Sequence, residues 1–275
     1  MNCKIKIFSL LIILSVLWAG CIDDTQTNVQ TDYNLKYNLN SGDRFVYDTL
    51  YSTEAPKNTF PIHIEMLVSD FDGKNVTTKV TSAVTMNGNI TTSLYNTIID
   101  TKGNLIKLDA QDNIIPEIQP ELPNLIAYPE NKIKKGDSWT ILIKKVGVFN
   151  ESGTLNEYMV VGTKNYTWLD SKKISVKAGE FECAIIKSDV NFNISMKTET
   201  GNGTIYISTI GNYSGDDWVD IKDGFLVKST YDIDQVRRTD LSEVYKKTGL
   251  FENFYRETLI RSHSSSELKE KKHEL

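Results

Sequence analysis

The sequence predicts a mainly β protein: a curved antiparallel sheet or half-open barrel, with little helix beyond an N-terminal leader. Three observations carry that prediction. From Tyr33 to about Val236, apolar and polar residues alternate with a period of two, the spacing that turns one strand face to a core and the other to water. Thr, Val, Ile and Tyr are abundant over the same stretch and good helix formers are sparse. Turn pairs separate the apolar runs at Asp72-Gly73, Asn87-Gly88, Lys102-Gly103 and Asp223-Gly224, and Asn-Gly is a strong tight-hairpin signal.

The chain opens on Lys4 and Lys6, followed by an apolar run from Ile7 to Trp18 interrupted only by Ser9 and Ser15, then Ala19-Gly20 and Cys21. Charged, apolar and small residues in that order make a secretory leader. Twelve helical residues reach about 18 Å, short of a hydrocarbon core of about 30 Å, so the run does not read as a permanent spanning helix. Leu17, Ala19, Gly20 and Cys21 resemble a lipoprotein signal, in which the cysteine is lipidated on sulfur and becomes the first mature residue. Trp18 departs from the aliphatic residue usual at its position, which suits the looser archaeal pattern better than the bacterial one. Two lipid chains, bacterial acyl (palmitate) or archaeal diether, anchor stably where one binds only marginally. The expectation is a signal peptide over residues 1–20 and a lipidated tether over 21–32. The domain is then held at the cell membrane through Cys21, facing the extracytoplasmic side. Loss of Lys4 and Lys6 takes the net charge from −5 to −7, which repels an anionic surface. Ile22 to Thr31, rich in Asp, Thr, Gln and Asn, supplies the stand-off.

Residues 33–262 read as the exported β domain. Phe45, Tyr47 and Thr49 share one strand face; Ile62, Ile64, Met66 and Val68 share another, which leaves His63 on the wet side. The runs "NVTTKVTSAVTM" and "NITTSLYNTIID" continue the meander. Pro116, Pro120, Pro123 and Pro129 rule out a central strand over roughly 115–135, so that stretch either separates two lobes or is an excursion over one continuous sheet, the reading preferred. "NSGDRFVY" (40–47) and "KKGDSWTI" (134–141) both place Gly-Asp, one residue and an aromatic at the opening of a strand; two short matches do not make a repeat. Beyond Val236, Asp240 and Glu243 offer a helix cap, but Thr248-Gly249 between β-formers favours a hairpin. Residues 263–275 show no apolar face and read as a disordered charged tail.

Composition narrows the chemistry. Apolar residues make up 40% and charged residues 24%, with a net charge of −5 and no basic cluster, so nucleic acid is not an expected partner. Three cysteines, Cys3, Cys21 and Cys183, form no Cys-x-x-Cys pair, and Cys183 alternates with Phe181 and Ile185 as a core strand residue. The only histidines are His63, His263 and His273. Nucleophile-elbow, zinc-helix, P-loop and dinucleotide-glycine patterns are missing, and no cofactor or metal is expected. Asp216, Asp217, Asp220 and Asp223 are oxygen ligands without EF-hand spacing and read as a solvated acidic hairpin. Seven Asn-x-Ser/Thr sequons, at Asn75, Asn89, Asn150, Asn165, Asn193, Asn202 and Asn212, exceed the four or so that chance composition gives and mark candidate glycosylation sites. The terminal "KHEL" resembles a retrieval signal but leaves the Cys21 context unexplained.

Gly136–Trp139, the Ala-Gly-x-Phe-x-Cys of Ala178–Cys183, and "DGFLVKS" (Asp223–Ser229) together resemble a loose family of uncharacterised exported β proteins, many of them archaeal or bacterial lipoproteins. The resemblance spans about Lys134 to Ser229. It implies a strongly curved sheet whose concave face holds an apolar ligand, and it brings no catalytic residue. The expected role is a non-catalytic extracytoplasmic module that binds an apolar or envelope ligand or supports envelope assembly. The alternative is an extracytoplasmic hydrolase using paired carboxylates.

Overall fold

The computed structural model describes residues 32–86, 88–110, 125–151, 154–249 and 253–274. The expected leader, Cys21 and the tether to residue 31 lie outside them, as do residues 115–124 of the proline-rich stretch. The strands are β1 (Asp43–Glu54), β2 (Lys57–Phe71), β3 (Asn75–Met86), β4 (Asn89–Asp100), β5 (Leu105–Ala110), β6 (Ser138–Glu151), β7 (Thr154–Val176), β8 (Gly179–Thr200), β9 (Gly203–Asp220), β10 (Leu226–Asp240) and β11 (Tyr255–His273). Among the described residues one short helix, α1 (Ser242–Thr248), precedes β11. All eleven strands form one curled antiparallel sheet, a half-barrel, in the order β5-β4-β3-β2-β1-β11-β10-β9-β8-β7-β6.

Alternation works as the sequence predicts in the early strands: Ile62, Ile64, Met66 and Val68 are buried while His63 is exposed. The inward faces meet two crossing segments, residues 33–40 and 125–134, that run over one end of the half-barrel. Leu35, Tyr37 and Leu39 from the first and Ile126, Tyr128 and Ile133 from the second join the main core cluster with Phe45, Tyr47, Trp168 and Phe225.

The two halves of the sheet repeat one another. The Gly-Asp echo of the sequence is one part of a larger correspondence. Asp43 Oδ2 accepts the Asn40 N–H at 2.8 Å, and Asp137 Oδ2 accepts the Lys134 N–H at 3.0 Å. Gly42 N–H donates to Val68 O on β2, and Gly136 N–H to Trp168 O on β7, both at 2.8 Å. A bulge follows each acceptor, between Val68 and Asp70 and between Trp168 and Asp170. The β4–β5 turn and the β9–β10 turn also match, "DTKGNLIK" (100–107) against "DIKDGFLVK" (220–228), each with a bulge between the Leu and the Lys. Each turn carries a left-handed glycine, Gly103 (φ 84°) and Gly224 (φ 72°), and a crossing segment lies against it. A Cβ on Gly103 would collide with Ile126 O, and one on Gly224 with Lys36 O. Two residues further along each crossing segment, Tyr128 N–H donates to Lys102 O (2.6 Å) and Asn38 N–H to Asp223 O (3.0 Å). Thus β1–β5 corresponds to β6–β10, and β11 lies between β10 and β1.

The C-terminal tail corrects one expectation. Residues 263–273 are not a disordered tail; they are the greater part of β11, paired with β1 on one side and β10 on the other. Its inward residues are Ser262, Ser264, Ser266 and Leu268, all buried. Serine replaces the usual aliphatic because Thr49 Oγ1 donates to Ser266 Oγ (2.8 Å) and the Tyr51 hydroxyl to Ser262 Oγ (2.9 Å), so an apolar pattern never arises. The preference for a hairpin near Thr248-Gly249 is corrected too. Gly249, at φ 72°, ends α1 in the left-handed conformation, its N–H bonding the helix carbonyls.

Candidate functional site

An apolar ligand site in the concave face needs room there, and aromatic side chains fill it. Trp168, Tyr47, Tyr166, Tyr213, Tyr231, Phe45 and Phe225 are all fully buried. Their polar ends are held inside: the Tyr47 hydroxyl donates to Leu226 O (2.9 Å) and the Tyr128 hydroxyl to Gly224 O (2.8 Å). Burial pushes the Tyr37, Tyr47 and Tyr95 hydroxyls above the ordinary phenol range. Asp217, with no exposed surface, accepts from Ser188 Oγ at 2.6 Å and from the Tyr231 hydroxyl at 2.5 Å. Gly215 sits against the neighbouring strand, where a Cβ would strike the Thr230 carbonyl first and then the Tyr231 ring. Among the described residues, the polar groups inside tie the walls together.

The acidic hairpin does not act as a unit. Asp216 faces outward and Asp217 inward, Asp220 accepts the Asp223 N–H (2.7 Å), and Asp223 pairs with Lys271 (3.1 Å). Burial raises the Asp220 carboxyl above its ordinary value. Among the described residues no three His, Cys, Asp or Glu side chains converge as metal ligands. Each histidine is held by one cross-strand carboxylate: His63 by Asp48 (3.2 Å), His263 by Asp232 (2.8 Å) and His273 by Asp43 (3.0 Å). Cys183 is buried with Phe181 and Phe225, and burial pushes its thiol up to about 12, so the reactive thiolate is suppressed. Its neighbour Ala184 is buried as well, so at this end of β8 both faces are covered rather than the one that simple alternation implies.

The sequons scatter. Asn89 and Asn202 are exposed near hairpin tips, and Asn165 and Asn212 are exposed on the outer strand face. Asn75 and Asn193 are half-buried; the Asn75 amide donates to Asp72 (3.0 Å), while Asn193 Oδ1 is buried with no hydrogen-bond partner among the described residues. The side chain of Asn150 and all of Cys21 lie outside what is described.

Sequence reasoning missed the outward face of the second half. Following the register across β7 to β11, one row reads Val161, Asn193, Ile210, Val236, Leu259, and four of these five are apolar on the solvent side. Five adjacent strands span about 19 Å. Alongside it β6 exposes Leu142 (78%), Val146 (72%) and Val148. Met159 faces Val146, and Tyr206 and Tyr255 continue the surface towards α1. The sheet's twist makes two shallow depressions here, of about 590 and 660 Å³. Arg238 lies over the Tyr255 ring at 4.4 Å, and Arg261 pairs with Asp234 at 3.2 Å, giving the apolar row a charged rim. The signal in the sequence was doublets such as Leu142-Ile143 and Val160-Val161, which make both faces of a strand apolar.

Two solved structures are similar to the chain. One, from Bacteroides fragilis, is a protein of YmcC-like fold taken to be exported: TM-score 0.33, 13% identity, covering 86% of this chain and 99% of that one. The other, from Parabacteroides distasonis, is taken to be a lipoprotein: TM-score 0.32, 12% identity, covering 87% and 100%. At these scores neither likeness fixes a fold or a function. No curated protein matches the sequence. The family model for DUF3108-like proteins matches residues 27–211, well over half the chain, and this protein belongs to the DUF3108-like family.

Proposed function

We propose that this is a lipid-anchored, non-catalytic docking module of the cell envelope, and that its working surface is the outward apolar face of β6–β11. The observation that carries this reading is the row Val161, Ile210, Val236, Leu259, with Ile210 61% and Leu259 52% exposed. Contiguous exposed apolar surface with a polar rim marks an interaction site on a soluble domain. The filled interior argues against carriage of an apolar ligand inside the half-barrel. Outward carboxylates such as Asp48, Asp232 and Asp234 are engaged by cross-strand His63, His263 and Arg261, which gives the hydrolase reading no support.

The anchor rests on the leader pattern ending at Cys21. Cys21→Ser should release the chain from membranes or block its processing; an unchanged mature mass with full membrane retention overturns lipidation. The mass of the N-terminal peptide separates a diacyl from a diether anchor, and with it a bacterial from an archaeal envelope, the latter favoured by Trp18 and the sequons. For the docking face, a photo-crosslinking residue at Val236 should capture an envelope protein in intact cells. Ile210→Asp should abolish capture without lowering the melting temperature. Equal capture from a control position such as Asn96 in the first half, or capture indifferent to Ile210→Asp, sinks the reading.

A further inference from the structure

Among the described residues the sheet has two seams, and one of them holds a strand. The strands alternate in direction along the sheet, so β10 and β1, with one strand between them, run the same way and both pair antiparallel with β11. By the same count β5 and β6, at the two ends of the sheet, run the same way as each other. They are therefore unable to pair antiparallel with each other, and a strand of opposite direction would pair with both. The duplication makes β5 and β6 the counterparts of β10 and β1. Their starts are tied to one crossing segment: Tyr128 N–H bonds the β4–β5 turn, while the Trp139 indole on β6 donates to Ala127 O at 2.8 Å. At the filled seam, Asn38 bonds the β9–β10 turn in the same way, a few residues before β1.

We propose that β5 and β6 form a receptor seam for a twelfth strand supplied by another polypeptide: an extended aliphatic segment carrying an acidic side chain on its outward face. The walls specify the aliphatic character. Leu105, Leu108 and Ile143 face the core, while Ile106 and Leu142, 58% and 78% exposed, face outward. The filled seam specifies the acid. On β10 the outward Lys228 stands opposite Glu267 of β11, and its counterpart on β5 is the exposed Lys107. Main-chain hydrogen bonds to a free edge supply affinity in this mode, and alternate side chains supply selectivity. The inference goes beyond the docking face above, since it stands on strand direction and duplication and not on the outward row.

Hydrogen exchange on the mature chain tests it, with a blocked ten-residue peptide alternating valine and threonine around one glutamate as the probe. The peptide should slow exchange in both Leu105–Ala110 and Ser138–Glu151 and leave β3 and β8 unchanged. Lys107→Glu should weaken the peptide about fivefold, and a lysine-centred peptide should restore binding to that variant. Ile210→Asp, which disables the docking face, should leave the peptide's affinity intact. Absence of protection, protection of one edge alone, or indifference to Lys107→Glu overturns the proposal. So does strong protection of both strands in the peptide-free monomer, which would mean the chain closes its own seam. A dimer whose edge protection falls on dilution overturns it in favour of a second copy.

Discussion

The two halves of this protein share a base and differ above it. Crossing segments, Gly-Asp turns, bulges and left-handed turn glycines are the same in both, yet β2, β3 and β4 have 15, 12 and 12 residues where β7, β8 and β9 have 23, 22 and 18. The second half also has a second core cluster, Ile143, Val160, Val190, Phe192, Tyr213, Tyr231 and Ile233, against which Tyr51 of β1 packs. Its outward row Val161, Asn193, Ile210 matches Pro61, Thr85 and Ile90 of the first half, where Ile90 is 69% exposed, but continues onto Val236 and Leu259. The shared base curls the sheet into a half-barrel. Structure common to both copies is best explained by folding, and the continuation of the row onto Val236 and Leu259, which has no match among the described residues of the first half, is the place to look for function.

The comparison breaks most visibly at β11, the strand with no counterpart among the described residues. Ending the chain after Arg261 removes the buried Ser262, Ser264, Ser266 and Leu268 and most of the pairing that joins the halves. The expected loss approaches the whole stability of a domain, about 5–15 kcal/mol, read as loss of a cooperative thermal transition. A melt equal to that of the full chain would return residues 262–275 to the status of a tail. The next effect tests the equivalence itself. Gly103→Ala and Gly224→Ala should each cost about 2–4 kcal/mol by urea unfolding, because strain at a left-handed residue adds to a clash with a crossing carbonyl. Gly73→Ala, left-handed with open space around it, should cost only about 1 kcal/mol. Unequal losses at the two matched glycines would mean that the two turns are not doing the same job.

A third test uses a position where the copies diverge. Thr97 and Asp217 occupy matching places on β4 and β9. Thr97 shares a buried hydroxyl–hydroxyl bond with Thr78 (2.6 Å), whereas Asp217 accepts from two hydroxyls. In Asp217→Asn one of those hydroxyls meets an amide donor and loses its acceptor, a loss of about 2–3 kcal/mol. Thr97→Val should cost about 1 kcal/mol, since a neutral pair is weaker. Equal costs would show that the second half gains no rigidity from its buried carboxylate.

Much of this was legible in the sequence where one face of a strand is aliphatic and the other polar, as in Ile62 to Val68. The curled antiparallel sheet followed from that alternation and from the turn glycines. It failed at β11, whose buried face is serine, and at Ser242–Thr248, where local helix capping competed with β-forming neighbours. The docking face was hidden for the opposite reason: doublets such as Val160-Val161 look like core, and only the register reveals that one member of each faces water. The repeat was visible as Gly-Asp but unconvincing, because its other half is made of hydrogen bonds and bulges that residue identity does not encode.

The smallest expected effect concerns what holds the closed seam. Arg44 on β1 grips Glu65 of β2 with two bonds, 2.9 and 2.8 Å, and reaches Glu270 of β11 at 2.6 Å. On β6 the matching residue is Ser138, which bonds only Thr167 of β7 (2.9 Å) among the described residues, so the open seam has no such clasp. The hydrogen bonds from Arg44 hold the Glu65 carboxyl below its ordinary value, with burial opposing. A depressed carboxylate stabilises the folded state fully above its unfolded pKa of about 4.3, and loses that contribution as the pH falls through the lower folded value. With 39% of the Glu65 side chain exposed, solvent screening limits the contribution to about 1 kcal/mol or less. The stability difference between the native chain and Glu65→Gln should therefore be small and positive at pH 7, and should shrink towards zero in acid. A difference that stays flat to pH 3 would show that Arg44 secures the seam by packing its stem rather than by charge, leaving the two seams distinguished by β11 alone.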